Sequence, residues 1–386
     1  MADNTYDQIA DTIQTAGPAG TVDFLVNLFR EQKKYYELFE LLKMQARLKL
    51  GLPILYTDDG DELSEEQRNQ LEDALIEACR EVGGMLLDED RIREGWYYLR
   101  PVGDKQPVID ALHRAKVDEE NVEDLIEVAL QEGVDPEFGF QLVLDHYGTC
   151  NSITTFEQQI APQPSAVQRP IAALLLKHLH EELRGSLTAD IAQREGNDPT
   201  EATIGEMIAS REWLFDNSGY HIDTSHLSST VRFAKVLNDP ELLKLARDLT
   251  LYGQCLDPQF QYEQQPPFDD FYDAHLLYFN AIIGDEIDES LAFFKEKAQA
   301  SDIRQEGSLA IETYISLLSQ SGKHAEALDA ALSLIPAGVH TQNIAPSLIE
   351  LSEAAGDFGK LSEHCKSRDD LLGFATSMLQ GSDLKK

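Results

Sequence analysis

The spacing of apolar residues constrains this chain more than any other feature. They recur at steps of three and four, the period of an α-helix that turns one face to a core. Val22, Leu25, Val26 and Phe29 form one such stripe, and Leu71, Ala74, Leu75 and Ala78 form another. The second follows Ser64-Glu65-Glu66-Gln67, in which serine and glutamine can satisfy each other's backbone donors at a helix start. Leu309, Tyr314, Leu317 and Leu318 mark a late helix. Alternating strand patterns are nearly absent. The spacing predicts an all-α chain of helices about 12–18 residues long, joined by short connections.

Internal repetition sharpens this. Gly322-Lys323-His324-Ala325-Glu326-Ala327-Leu328 parallels Gly356-Asp357-Phe358-Gly359-Lys360-Leu361, with the glycines 356 − 322 = 34 residues apart. Each glycine stands where one helix should end and the next begin, and glycine there can take positive φ. The ring two positions later (His324, Phe358) can wedge between the helices, and Ala327 or Leu361 opens the inner face of the second. Degraded versions lead from Lys33-Lys34-Tyr35 into Leu38 and Leu42, from Asp90-Arg91-Ile92 into Trp96 and Leu99, and from Gly284 into Leu291 and Phe294 with one residue inserted. This pattern resembles the tetratricopeptide repeat superfamily, over residues 275–380 above all. The aromatic and Leu-Gly of that family's first helix are missing here. The resemblance implies a right-handed α-solenoid of stacked helical hairpins and a protein or peptide ligand. It transfers no binding residues.

Composition excludes several functions. Lys plus Arg is 32 and Asp plus Glu is 69, a formal charge of −37. Phosphate backbones and anionic membranes both need a basic surface, so neither nucleic acid nor membrane is an expected partner. A length of 386 residues predicts more than one compact core. Breaks at Ala161–Pro170 and Gln264-Gln265-Pro266-Pro267 predict an N-terminal helical region (1–160), a divergent central segment (161–263) and C-terminal repeats (264–386). Cys79, Cys150, Cys255 and Cys365 make no CxxC pair, which fits a reducing compartment, and no signal peptide or apolar span is read. A soluble, cytoplasmic protein is therefore expected. Phosphate-binding glycine loops and a GxSxG elbow are absent, and the acidic runs Asp58–Glu62 and Asp118–Glu120 are too irregular for a calcium loop.

The central segment carries the chemistry-bearing residues. His178, His180 and Glu182 lie on one predicted helix whose Leu176, Leu179, Leu183 and Leu187 face a core. At about 100° per residue, His178 and Glu182 are about 40° apart and can share a ligand, whereas His178 and His180 cannot on a regular helix. His221, Asp223 and His226 follow within six residues, ahead of a helix led by Leu227, Val231 and Ala234. Two imidazoles and a carboxylate suit zinc, iron or manganese, and a ligand from the first group completes a set able to activate water. Against this stands a plain structural reading. Asp223 caps the following helix, His221 is a satisfied core histidine, and the remaining positions are surface. His146 is a further candidate member, although Gly148 makes Asp145–Cys150 read as a helix end. Trp213, Phe215 and Tyr220 can line a pocket or fill a core. The leading functional reading is a protein- or peptide-binding scaffold with a concave groove. The alternative is a metal-dependent enzyme, a hydrolase built on the central cluster.

Overall fold

The computed structural model describes residues 2–55, 63–261, 266–336, 338–339, 341–342 and 344–383, with backbone alone for 2–4 and 383. The acidic run Asp58–Glu62 and the glutamines of the 264–267 break lie outside the described residues. Among the described residues there is no β-strand and the chain is all-α. Contacts divide it into two compact units, Met1–His146 and Tyr147–Lys386.

In the first unit α1 (Ala2–Glu31), α2 (Tyr35–Lys49), α3 (Glu65–Leu87) and α4 (Ile92–Leu99) each pack on the helix before them. The expected stripe of α1 meets α2 and α3: Val22 and Val26 are buried with Tyr35, Leu38, Leu41, Val82 and Leu86. Ser64 and Gln67 form the reciprocal cap that starts α3. The shorter α5 (Gln106–Arg114) and α6 (Val122–Ile126) pack against α4. Then α7 (Pro136–Thr155) runs through a break at Gly148, where φ is 76°.

The second unit is centred on α8 (Ser165–Glu195), whose Leu176, Leu179, Leu183 and Leu187 have no exposed surface. Each such leucine contributes roughly 1.5–3 kcal/mol relative to an exposed one. The proline-marked break is shorter than the sequence suggested. Helix α8 begins at Ser165 and holds Pro170 inside it, so only residues 161–164 form the loop. Two helices, α9 (Ile204–Ala209) and α10 (Thr224–Phe233), lead to α11 (Pro240–Gln254), and α8, α9 and α10 all pack against α11. From there α12 (Phe271–Ile283), α13 (Ile287–Ala300), the single turn α14 (Ile303–Glu306), α15 (Leu309–Gln320), α16 (His324–Leu334), α17 (Leu348–Ala355), α18 (Phe358–Ser367) and α19 (Leu371–Asp383) follow, and apart from α14 each packs on its predecessor.

One turn recurs between these helices. At Lys33, Asp90, Gly322, Gly356 and Asp369 φ lies between 55° and 74°, and the next helix starts two residues on. The following N–H returns to the carbonyl five residues back: Lys34 to Phe29, Arg91 to Leu86, Lys323 to Leu318, Asp357 to Ser352 and Asp370 to Cys365, all between 2.9 and 3.0 Å. This closure satisfies carbonyls that a helix end leaves free. Gly284 makes the same turn with one extra residue before α13, as the sequence insertion predicts. The rings expected to wedge behave as read, with Phe358 buried beside Leu361 and Cys365. Gly95 is not a turn residue. It lies inside α4, and a Cβ there would meet the Gly83 carbonyl of α3 at 3.1 Å, so this glycine serves close helix approach.

Helix α15 is enclosed on every face, and it carries a buried acid. The Glu312 carboxylate, 1 % exposed, accepts the N–H groups of Gln342 (2.7 Å), Ile344 (2.8 Å) and Ala345 (3.4 Å). Three backbone donors solvate that charge in place of water.

Two glycines test the backbone argument with opposite signs. Neither Gly356, at φ 66°, nor Gly84, inside α3, has an atom within 4 Å of an added Cβ. Denaturant unfolding should show Gly356→Ala less stable by about 1 kcal/mol, from its left-handed backbone. Gly84→Ala should be more stable by about 0.5–1 kcal/mol, because it gains helix propensity.

Candidate functional site

The six candidate ligands are recruited in pairs, each by a different partner. His180 and Asp248 face each other from α8 and α11, with Nε2 3.2 Å from Oδ2 and each residue 7 % exposed. Facing a carboxylate, that ring nitrogen carries the proton and donates. The other donors to Asp248 are the N–H groups of Ile204 (3.1 Å) and Gly205 (3.2 Å), so it anchors the first turn of α9. His221 joins a second chain. Tyr252 Oη accepts the His221 N–H at 2.7 Å and stands 3.1 Å from its Nδ1, while Nε2 lies 3.2 Å from Asp190 Oδ2. The consistent proton arrangement has the tyrosine hydroxyl donating to Nδ1 and Nε2–H donating to Asp190. Burial raises the Tyr252 phenol well above its ordinary range, so it stays protonated. Asp248 and Tyr252 are four residues apart on one face of α11, which thereby holds both imidazoles.

The remaining candidates go elsewhere. Asp223 caps α10, its Oδ1 accepting from the Ser225 hydroxyl at 2.5 Å, the Ser225 N–H at 2.9 Å and the His226 N–H at 3.2 Å. The hydrogen bond from that hydroxyl is the largest influence holding its carboxyl below the usual range. His226 is half-buried in the first turn of α10. His178 contacts the Thr149 hydroxyl at 3.0 Å, with Glu182 at 3.8 Å as the expected helical neighbour. His146 and Cys150 are both exposed, on either side of the break at Gly148. Among the described residues no three of His, Cys, Asp or Glu converge as a metal would require. The sequence placed the histidines correctly but could not supply Asp190, Asp248 and Tyr252, which lie 31 or 68 residues from the histidines they bind.

The aromatic residues divide likewise. Phe215 packs on Tyr252 at 5.3 Å, Trp213 lies under the Arg194 guanidinium at 4.2 Å, and Tyr220 is exposed beside Phe260. Arg211, which the sequence did not single out, is buried between Glu195 (2.8 Å) and Glu201 (2.7 Å) and ties the end of α8 to the loop before α9. Those two carboxylates keep its guanidinium charged.

Helix α12 holds a third buried imidazole. His275, 1 % exposed, stacks on Phe268 at 4.1 Å and donates Nδ1–H to the Phe271 carbonyl at 2.6 Å. Its buried Nε2 has no hydrogen-bond partner among the described residues. Burial, and then the charge of Lys235, push its pKa well below the ordinary value, so the ring is neutral.

One open cleft, about 430 Å³, lies in the first unit and is lined by Arg93, Trp96, Tyr97, Arg100, Asp124 and Glu132 among others. Arg93 pairs with Asp124 (3.0 Å) and Glu127 (2.9 Å), Arg100 pairs with Glu132 (2.9 Å), and Trp96 Nε1 donates to Glu132 at 3.3 Å. Tyr97 stands 73 % exposed, so α4 packs through Trp96 and Leu99 and leaves this ring free. Comparison of the chain with known protein families, curated proteins and solved structures found no match. Among the described residues, no helix is long and apolar enough to cross a membrane.

Two measurements test these assignments. Tyr252→Phe should cost about 1–3 kcal/mol in denaturant unfolding, because it leaves a buried N–H without an acceptor, whereas His226→Ala should stay within about 0.5 kcal/mol. His275 is neutral when folded but takes a proton below about pH 6.5 when unfolded, so its contribution is lost as pH falls through that value. Urea unfolding from pH 7 to 5 should show His275→Phe losing stability less steeply than the parent, by up to about 1.4 kcal/mol per pH unit.

Proposed function

We propose that this chain is a tetratricopeptide-like α-solenoid scaffold of the cytoplasm that binds basic or neutral protein segments. The observation that carries this reading is the repeated turn: six helical hairpins close with the same left-handed residue and the same backward hydrogen bond. Units that bury their apolar faces only against sequence neighbours form extended surfaces suited to partner binding. The charge of −37 favours cationic segments and repels polyanions. The cleft on α4 is the surface we assign to contact. It offers Arg93, Trp96, Tyr97 and Arg100, residue types that dominate binding hot spots. The metal-dependent hydrolase alternative needs converging donors, and the central histidines supply separate pairs.

The test uses fluorescent peptides of equal length, one Lys/Arg-rich, one neutral and one acidic, titrated with the intact chain by anisotropy. The basic peptide should bind tightest and weaken as salt rises from about 0.05 to 0.5 M. Tyr97→Ala should cost about tenfold in Kd. Equal affinity for the acidic peptide, or no binding of any, overturns the reading.

A further inference from the structure

Lys235 stands out by what surrounds it. It lies in the 3₁₀ turn Ala234–Val236 after α10 and is half-buried. In a chain with 69 acidic side chains, it has no carboxylate partner among the described residues. Its Nζ instead stands 4.3 Å from the centroid of the buried Phe268 ring. The charged and titratable groups around it are all engaged. Arg232, on the same element, is paired with Glu157. Asp269, next to Phe268, is taken by Lys297 at 2.6 Å. His275 on α12 is neutral and bonded to its own helix. The Tyr278 hydroxyl donates to the Lys235 carbonyl at 3.3 Å and accepts from Gln320 at 3.1 Å. No anion holds the ammonium in its charged form. Burial above all, with the charge of Arg232, pushes the Lys235 pKa down to about 8.

We propose that Lys235 is a covalent ligand site, an amine that condenses reversibly with small neutral aldehydes against the face of Phe268. The neutral Nζ attacks the carbonyl carbon and forms a C–N bond, while the carbonyl π pair moves to oxygen. That oxygen takes the proton the nitrogen gives up. The carbinolamine then loses its hydroxyl as water as C=N forms, so no oxidant or reductant enters. The aromatic wall and the half-closed setting favour a small, uncharged aldehyde over a carboxylate-bearing one. Near pH 8 about half of such an amine is neutral, against roughly 0.3 % of an ordinary exposed lysine. Lower basicity also lowers intrinsic nucleophilicity by about an order of magnitude, by analogy with thiols. The net expectation is a rate about tenfold above that of an exposed lysine. This proposal is independent of the scaffold reading.

The experiment treats the intact chain at pH 8 with limiting acetaldehyde and cyanoborohydride, which traps each imine as an N-ethyl amine. Peptide mass spectrometry then compares Lys235 with Lys33 and Lys244, whose side chains are 64 % and 47 % exposed. Lys235 should be ethylated about tenfold faster, with a rate half-maximal near pH 8. The preference should vanish in urea, and Lys235→Met should remove the fast site. Ethylation of Lys235 at or below the rate of Lys33 and Lys244 in the folded chain overturns the proposal.

Discussion

No helix of this chain can bury its apolar face alone, and everything else follows from how neighbours supply the missing wall. A helix can fold back on its predecessor only if its last carbonyls are satisfied within a short turn. The left-handed residue with its backward hydrogen bond does this in few residues. It leaves the next helix antiparallel and adjacent. Sequence neighbours therefore become spatial neighbours, and each core is assembled locally, as around Val22, Leu38 and Val82 or around Phe358 and Leu361.

Much of this was legible in the sequence. The helical period, the cap at Ser64 and the glycines at 322 and 356 all mark what the structure contains. Half of the turns were harder to see, because Lys33, Asp90 and Asp369 adopt the left-handed conformation without being glycine. Aspartate tolerates that region through its short polar side chain. Lys33 does so with its ammonium paired to Glu89. Gly95 misled in the opposite direction, since a glycine that permits helix contact looks like one that ends a helix.

The candidate site was legible only in its histidines. Spacing within one helix states which side chains share a face, and His178 and Glu182 do share one. It says nothing about a partner on another helix. Asp248 and Tyr252 draw His180 and His221 to two points of α11, and Asp223 is spent on capping α10. Each imidazole meets a carboxylate, but a different one, so the donors settle as hydrogen-bonded pairs that fix the packing of α8, α9 and α11. Lys235 escaped notice for the converse reason. Its character comes from the lack of an acid nearby, which no linear pattern records.

The buried Glu312 also bears on how chain length can vary. Because its carboxylate holds the N–H groups of Gln342, Ile344 and Ala345 at once, the stretch between α16 and α17 is tethered midway to α15. An insertion or deletion on the far side of that tether shifts the register of three donors against a fixed acceptor. Relatives of different size should therefore differ in the exposed 197–202 connection, where the backbone has no such anchor at its outer end, while keeping the 341–346 stretch at constant length.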